Sequence, residues 1–303
     1  MSEAATRCQA RSLSLNESLH GTASTVHGWV LLEEPGPWGA DALRDCRIGE
    51  SLTTRLNEMC RKLRLRVLLI RRAERRSPAP PGVRNCFLAR TGPGEGWVQQ
   101  AWLDDPEQVL DLDLSALARG ESPGLRPVAE PLYLVCTQGR HDPCCAELGR
   151  PVVRALAAKL PDRTWEVSHI GGDRFAGNLV VLPHGLYYGR VPPDEVVALA
   201  QAYERGEVDP RYLRGRTAYG FAVQAAECLL RSRTDIRGVD ELPLVSSHRD
   251  GDDTEAVFTA PEGGRYRVRV STRSAPPERV LTCHAERPAV PVEHHLVEIH
   301  HDV

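Results

Sequence analysis

The stretch Cys136-Thr-Gln-Gly-Arg-His-Asp-Pro-Cys-Cys145 holds two cysteines, Cys136 and Cys145, with eight residues between them. A loop of this size can turn two thiolates toward one metal centre. A helix N-terminus and a cation such as Arg140 would favour the ionised thiols. Spacing alone leaves open a plainer reading, a pair of buried cysteines at a strand-to-helix turn. A second stretch, Ser168-His-Ile-Gly-Gly-Asp-Arg-Phe-Ala-Gly-Asn178, sets His169 and Asp173 on either side of Gly171-Gly172. Glycines permit a backbone tight enough to aim both side chains into one site. The plain readings here are a hydrogen-bonded loop histidine and a turn aspartate partnered by Arg174.

These residues must be positioned by strands and helices that the apolar pattern makes visible. Leu132-Tyr-Leu-Val135 reads as a strand that delivers Cys136. The span from Cys145 to Leu160 reads as a helix with Leu148, Val152, Leu156 and Leu160 on one face, kinked or restarted near Pro151. Thr164–Ser168 is a strand that delivers His169. Asn178–Leu182 and Gly185–Val191 form a hairpin, and Asp194–Arg205 is a helix bounded by Pro192-Pro193 and Gly206. The preceding residues repeat this order. Trp29–Leu32 is a strand and Ser51–Leu63 a helix. Arg66–Ile70, Asn85–Ala89 and Gly96–Trp102 are strands, and Leu110–Ala118 is a weak helix. The expected fold is therefore α/β (α+β), with two thioredoxin-like units followed by a C-terminal helix (Thr217–Arg231) and a hairpin (Glu255–Phe258 with Tyr266–Val270). The expected boundaries are 1–125, 126–210 and 211–303.

Length and composition fit this organisation. The chain has 303 residues, 41 % hydrophobic and 26 % charged, a soluble globular balance. Its net charge of −3 argues against nucleic acid as the main partner. No window approaches a membrane span, and the first residues lack the apolar core of a secretion signal, so the expected compartment is the cytoplasm. Of 38 lysines and arginines only Lys62 and Lys159 are lysines, which points to a GC-rich bacterial genome rather than to a function. Nine cysteines in such a chain are expected to be mostly reduced, and a cluster of them reads first as metal or redox chemistry.

Taken together, Cys-x8-Cys, Ser168-His-x-Gly-Gly172, Phe175-Ala-Gly-Asn178 and Tyr188-Gly-Arg-Val191 resemble the sucrase/ferredoxin-like family. Gly21-Thr-Ala and Pro35-Gly-Pro-Trp-Gly39 resemble its bacterial members. The resemblance implies that the second unit is a thioredoxin-like ferredoxin domain holding a [2Fe-2S] cluster, ligated by two cysteines and two histidines spaced His-x3-His. Carried over, the ligands are Cys136, Cys145 and His169, with Asp173 standing where the second histidine would be. Asp173 is the expected fourth ligand because it occupies the matching position, with Cys144 or Cys283 as alternatives. No carboxylate pair reads as glycosidase machinery, despite the family's label.

The expected function is that of an electron carrier or redox sensor working with a redox partner protein, rather than a stand-alone enzyme. Two alternatives belong to other classes, a cluster-free oxidoreductase using a Cys136–Cys145 dithiol and a structural zinc protein. Against the dithiol, the Cys-x-x-Cys spacing of the usual redox motif is missing. Cys60, Cys86 and Cys228 read as core, and Cys8 falls in a terminus read as flexible. Arg71–Pro81 reads as a solvated loop in place of the first unit's counterpart of the His169 loop. His294, His295, His300 and His301 read as an exposed polar tail.

Overall fold

A computed structural model describes residues 7–73, 82–92 and 96–302. The expected loop at Arg71–Pro81 lies largely outside the described residues. The first thioredoxin-like unit consists of strand β1 (Gly28–Glu33), helix α2 (Glu50–Lys62), β2 (Arg66–Arg71), β3 (Arg84–Arg90), β4 (Trp97–Leu103) and α3 (Leu114–Arg119). The second repeats that order with β6 (Leu132–Cys136), α4 (Pro143–Ala157), β7 (Thr164–Val167), β8 (Leu179–Leu182), β9 (Leu186–Tyr188) and α5 (Val196–Glu204). In each unit the helix-linked pair of strands is parallel and the following hairpin is antiparallel.

The two units share one sheet. Its spatial order places β2-β1-β3-β4 beside β7-β6-β8-β9, with β2 and β7 meeting antiparallel at Ile70↔Val167 and Arg71↔Glu166. The two-residue β5 (Arg126–Pro127) and β10 (Leu213–Arg216) extend the edges to ten strands. Alternation along the buried strands splits the core into faces. Trp29, Leu31, Leu134, Cys136 and Trp165 point to a face common to both units. Val30 and Leu32 point to the opposite face of the first unit, and Tyr133 and Val135 to that of the second.

Helix α4 starts where Asp142 caps it, accepting a hydrogen bond from the Cys144 N–H at 2.8 Å with Pro143 at the first helical position. It runs through Pro151 as one element. Gly149 lets it lie against the end of β6, because a Cβ there would stand 2.0 Å from the Cys136 carbonyl oxygen.

Four elements differ from the sequence reading. Cys8 is buried in a short helix α1 (Cys8–Ser14) rather than sitting in a loose terminus. The weak helix is a 3-10 turn (Pro106–Asp111) followed by α3, restarted by Asp113, whose side chain accepts from the Ala116 N–H. The C-terminal hairpin belongs to a four-stranded meander, β11 (Leu244–Asp250), β12 (Asp253–Thr259), β13 (Arg265–Ser274) and β14 (Val292–Asp302), packed on helix α6 (Phe221–Thr234) through Val223, Leu230, Phe258 and Val268. Finally, the histidines expected in a polar tail lie along β14. An antiparallel strand with one wet face tolerates them, and His294 is buried with Nδ1 3.0 Å from the Thr272 hydroxyl. Among the described residues no helix is long and apolar enough to cross a membrane.

Candidate metal centre

Cys136 ends β6 and Cys145 lies in the first turn of α4, so both sulfurs sit at the carboxyl end of a central strand. The neighbouring strand β7 leads into His169, and the Gly171-Gly172 turn brings Asp173 back. Ligand atoms of Cys136, Cys145 and His169 lie within 4.8 Å of one another. Cys145 Sγ is 3.1 Å from Asp173 Oδ1, and His169 Nδ1 is 3.0 Å from the same oxygen. The four residues that the sequence points to therefore converge. Cys144 and Cys283 do not join them. They form a second group with Cys8 and Asp142.

The turn is set by a buried arginine. Gly171 and Gly172 both adopt positive φ, and a Cβ at Gly172 would stand 2.3 Å from an Arg214 nitrogen. Arg214, from β10, donates to the Gly171 carbonyl at 3.0 Å, to Asn178 Oδ1 at 2.8 Å and to Thr22 Oγ1 at 3.0 Å. It makes no ion pair among the described residues, and burial lowers its pKa to about 10. An uncompensated cation behind the sulfurs favours negative charge in the site.

His141 is a fifth group that the sequence reading passed over. Its ring stacks on that of His169, with centroids 3.8 Å apart and planes inclined by 22°. Its Nε2 lies 3.9 Å from Asp173 Oδ2 and its Nδ1 3.3 Å from the Ala40 carbonyl. Gln138, buried beneath, accepts from the His169 N–H at 2.7 Å and donates to the carbonyls of Gly39 and Ala40 at 2.8 and 3.1 Å. The first unit thus holds the loop of the second. The spacing of His141 from Cys145 was a visible signal, but its ring direction depends on the distant Ala40.

The electrostatics follow from this crowding. A hydrogen bond from the Cys145 thiol, opposed by burial and aided by His169, holds Cys136 well below the usual thiol range, while the same contact pushes Cys145 up. Burial works against a charged His169, but Asp173 and the Cys136 sulfur outweigh it and hold the imidazole at about 9. Burial likewise opposes ionisation of Asp173, and His169 overcomes it, leaving the carboxyl below its ordinary value.

The residues suit a metal centre. His169 Nδ1, out of line for a bond to Asp173, and Asp173 Oδ2 are both buried with no hydrogen-bond partner among the described residues. Orphaned polar atoms of this kind cost about 1–3 kcal/mol each, a cost that coordination would remove. Two sulfurs with imidazole and a carboxylate or a second imidazole form a donor set that iron–sulfur centres or zinc can take.

The family model of sucrase/ferredoxin-like proteins matches residues 19–215. The chain belongs to the sucrase/ferredoxin-like family. Within curated relatives, the Altered inheritance of mitochondria protein 32 of Debaryomyces hansenii is 32 % identical over 82 residues, 24 % of this chain and 30 % of that protein. Its namesake in Meyerozyma guilliermondii is 30 % identical over 79 residues, 23 % of this chain and 28 % of that protein. The chain therefore matches less than a third of the length of either relative. Among solved structures, cysteine-to-serine variants of the thioredoxin-like [2Fe-2S] ferredoxin from Aquifex aeolicus match 28 % of this sucrase/ferredoxin-like chain and 97 % of their own. The identities are 23 % and 21 %, and the TM-score is 0.26 in both cases.

Proposed function

We propose that this sucrase/ferredoxin-like protein is a cytoplasmic one-electron carrier or redox sensor whose [2Fe-2S] cluster is held by Cys136, Cys145, His169 and Asp173. The observation that carries this reading is the convergence of two buried sulfurs with His169 and Asp173, two of whose buried polar atoms make no hydrogen bond among the described residues. When bound, such a cluster supplies a reversible one-electron site whose potential depends on ligand charge, hydrogen bonding and exposure. The protein supports that role in three ways. Arg214 lends positive charge from behind, the sulfurs are sealed in the core, and the two stacked imidazoles reach the surface. His141 and His169 line a groove of about 500 Å³ with Ala40, Arg44, Arg66 and Gln138, where a redox partner protein can dock within reach of the site.

The test is metal analysis of anaerobically purified protein. Wild type should carry near-stoichiometric iron and acid-labile sulfide, and Cys136→Ala should carry neither. Zinc in place of iron, lost in Cys136→Ala, would overturn the reading in favour of a zinc centre. A colourless protein with a reversible Cys136–Cys145 disulfide would overturn it in favour of thiol chemistry.

The stacked His141 supports a second reading of the fourth ligand. An anionic carboxylate ligand lowers the reduction potential relative to a neutral imidazole, so Asp173→His should keep the cluster and raise its potential. Asp173→Ala should make the cluster labile, whereas His141→Ala, Cys144→Ser and Cys283→Ser should retain iron. If His141→Ala loses the cluster while Asp173→Ala leaves spectrum and potential unchanged, His141 is the ligand.

A further inference from the structure

On the other side of the α4 N-terminus, three more sulfurs meet. Cys8 comes from α1, Cys144 from the first turn of α4, and Cys283 from the stretch between β13 and β14. Their Sγ atoms form a triangle with edges of 3.4 Å (Cys144–Cys283), 3.5 Å (Cys8–Cys283) and 3.7 Å (Cys8–Cys144). Asp142 completes the group, with Oδ2 and Oδ1 3.7 and 3.9 Å from Cys8 Sγ.

We propose that Cys8, Cys144, Cys283 and Asp142 form a structural site for a thiophilic divalent cation, zinc, separate from the Cys136 centre. Tetrahedral zinc bonded to sulfur at about 2.3 Å puts neighbouring sulfurs about 3.8 Å apart. The observed triangle is already close to that spacing and far from the roughly 2.0 Å of a disulfide. A disulfide would also leave the third thiol over, whereas one metal ion engages all three.

Backbone donors hold the group in place. The Cys8 N–H donates to Cys283 Sγ at 3.4 Å, and the Asp142 carboxylate is fixed by backbone donors from Cys144 at 2.8 Å and Cys283 at 2.6 Å. Cys8, Cys144 and Asp142 are each no more than 1 % exposed, packed with Ala176, Leu148 and Cys283. Zinc binding here displaces the thiol protons into solvent and involves no change of oxidation state. Its structural effect is to tie α1 and the C-terminal stretch to the start of α4, one residue from Cys145.

Full-length protein purified anaerobically with zinc present tests the site. Zinc should be near-stoichiometric in wild type and equally so in Cys136→Ala, which lacks the other centre. In Cys8→Ser and Cys283→Ser zinc affinity should fall on the order of a hundredfold or more, with iron retained as evidence that the fold survives. Cobalt in place of zinc should give the intense bands of tetrahedral cobalt thiolate in Cys136→Ala and lose them in Cys8→Ser.

A second measurement needs no variant. In wild type, chelation should expose Cys8, Cys144 and Cys283 to alkylation, read peptide by peptide. Failure to bind zinc would overturn the proposal. So would zinc lost in Cys136→Ala but kept in Cys8→Ser, alkylation unchanged by chelation, or a disulfide among the three in anaerobically prepared protein.

Discussion

The two thioredoxin-like units carry opposite chemistry at the same place in the fold. Where the first strand of the second unit ends, the chain presents Cys136, and its neighbour Thr137 donates to Glu166 at 2.6 Å. Where the first strand of the first unit ends, it presents Glu33 and Glu34. Glu33 accepts from the Asn85 N–H at 2.9 Å, and Glu34 pairs with Arg84 at 2.9 Å. Around the two sulfurs of the second unit, His169 Nδ1 and Asp173 Oδ2 make no hydrogen bond among the described residues, whereas in the first unit both carboxylates are bonded, Glu33 by Asn85 and Glu34 by Arg84. The loop that follows β1 then serves the other unit, since Gly39 and Ala40 accept from Gln138 and Ala40 approaches His141. Arg66, opening β2, donates to the His169 carbonyl at 3.1 Å. The first unit thus buttresses the loop that carries His169 in the second. A buried network can be kept either for its reactivity or for the shape it enforces.

The sharpest way to break this comparison is to alter the same position in both copies. Cys136→Ala should abolish iron binding, whereas Glu33→Ala should leave iron content intact, measured by metal analysis of the two purified variants. Next in size is the junction. Arg71 donates to Glu166 through Nε at 3.1 Å and Nη2 at 2.7 Å, bridging β2 and β7. Glu166→Gln leaves the Arg71 charge buried and should cost about 3–5 kcal/mol in denaturant unfolding. An unchanged midpoint would mean that the two units do not depend on each other.

A smaller effect is expected at Gln138, whose three hydrogen bonds join the units under His169. Gln138→Ala should cost about 1–3 kcal/mol and change the spectroscopic signature of His169, a readout that simple loosening elsewhere would leave alone. The smallest effect is a pH dependence at Glu17, which joins the N-terminal segment to Arg174 at 2.7 Å and Arg279 at 3.4 Å. Burial opposes the charge, but the arginines win and hold the carboxyl below its ordinary 4.5. A lowered folded-state pKa gives stability that is complete above the unfolded value and lost as pH falls through the folded one. The difference in Tm between wild type and Glu17→Gln should therefore be constant near neutrality and shrink below about pH 4.5. A difference that grows on acidification would reverse the assignment.

Local periodicity carried much of this structure. The apolar run Leu132–Val135 and the helical stripe at Val152 and Leu156 are set by contacts within one element and its neighbours, and they read directly from the sequence. The pairing of Cys-x8-Cys with the His169 turn came with the family resemblance, and the parallel pairing of β6 and β7 across helix α4 brings both strand ends to one edge of the sheet. What escaped was set by distant partners. Arg214 supports the Gly171-Gly172 turn from a strand that read as part of a separate extension. His141 takes its direction from Ala40, and Cys8 owes its burial to Cys283, 275 positions away. No window of sequence contains both members of these pairs.

That last separation bears on the order in which the molecule is made. Cys8 leaves the ribosome well before Cys283, which follows 275 positions later. Until then the first sulfur lacks one of its companions, and the nascent chain is exposed to thiol oxidants and competing metals. Bringing positions so far apart together also costs configurational freedom on folding, a cost that in loop-closure models grows with the logarithm of loop length. A chain truncated before Cys283 would expose Cys8 and Cys144 to alkylation, making thiol accessibility at these two positions a reporter of whether the stretch that carries Cys283 has docked.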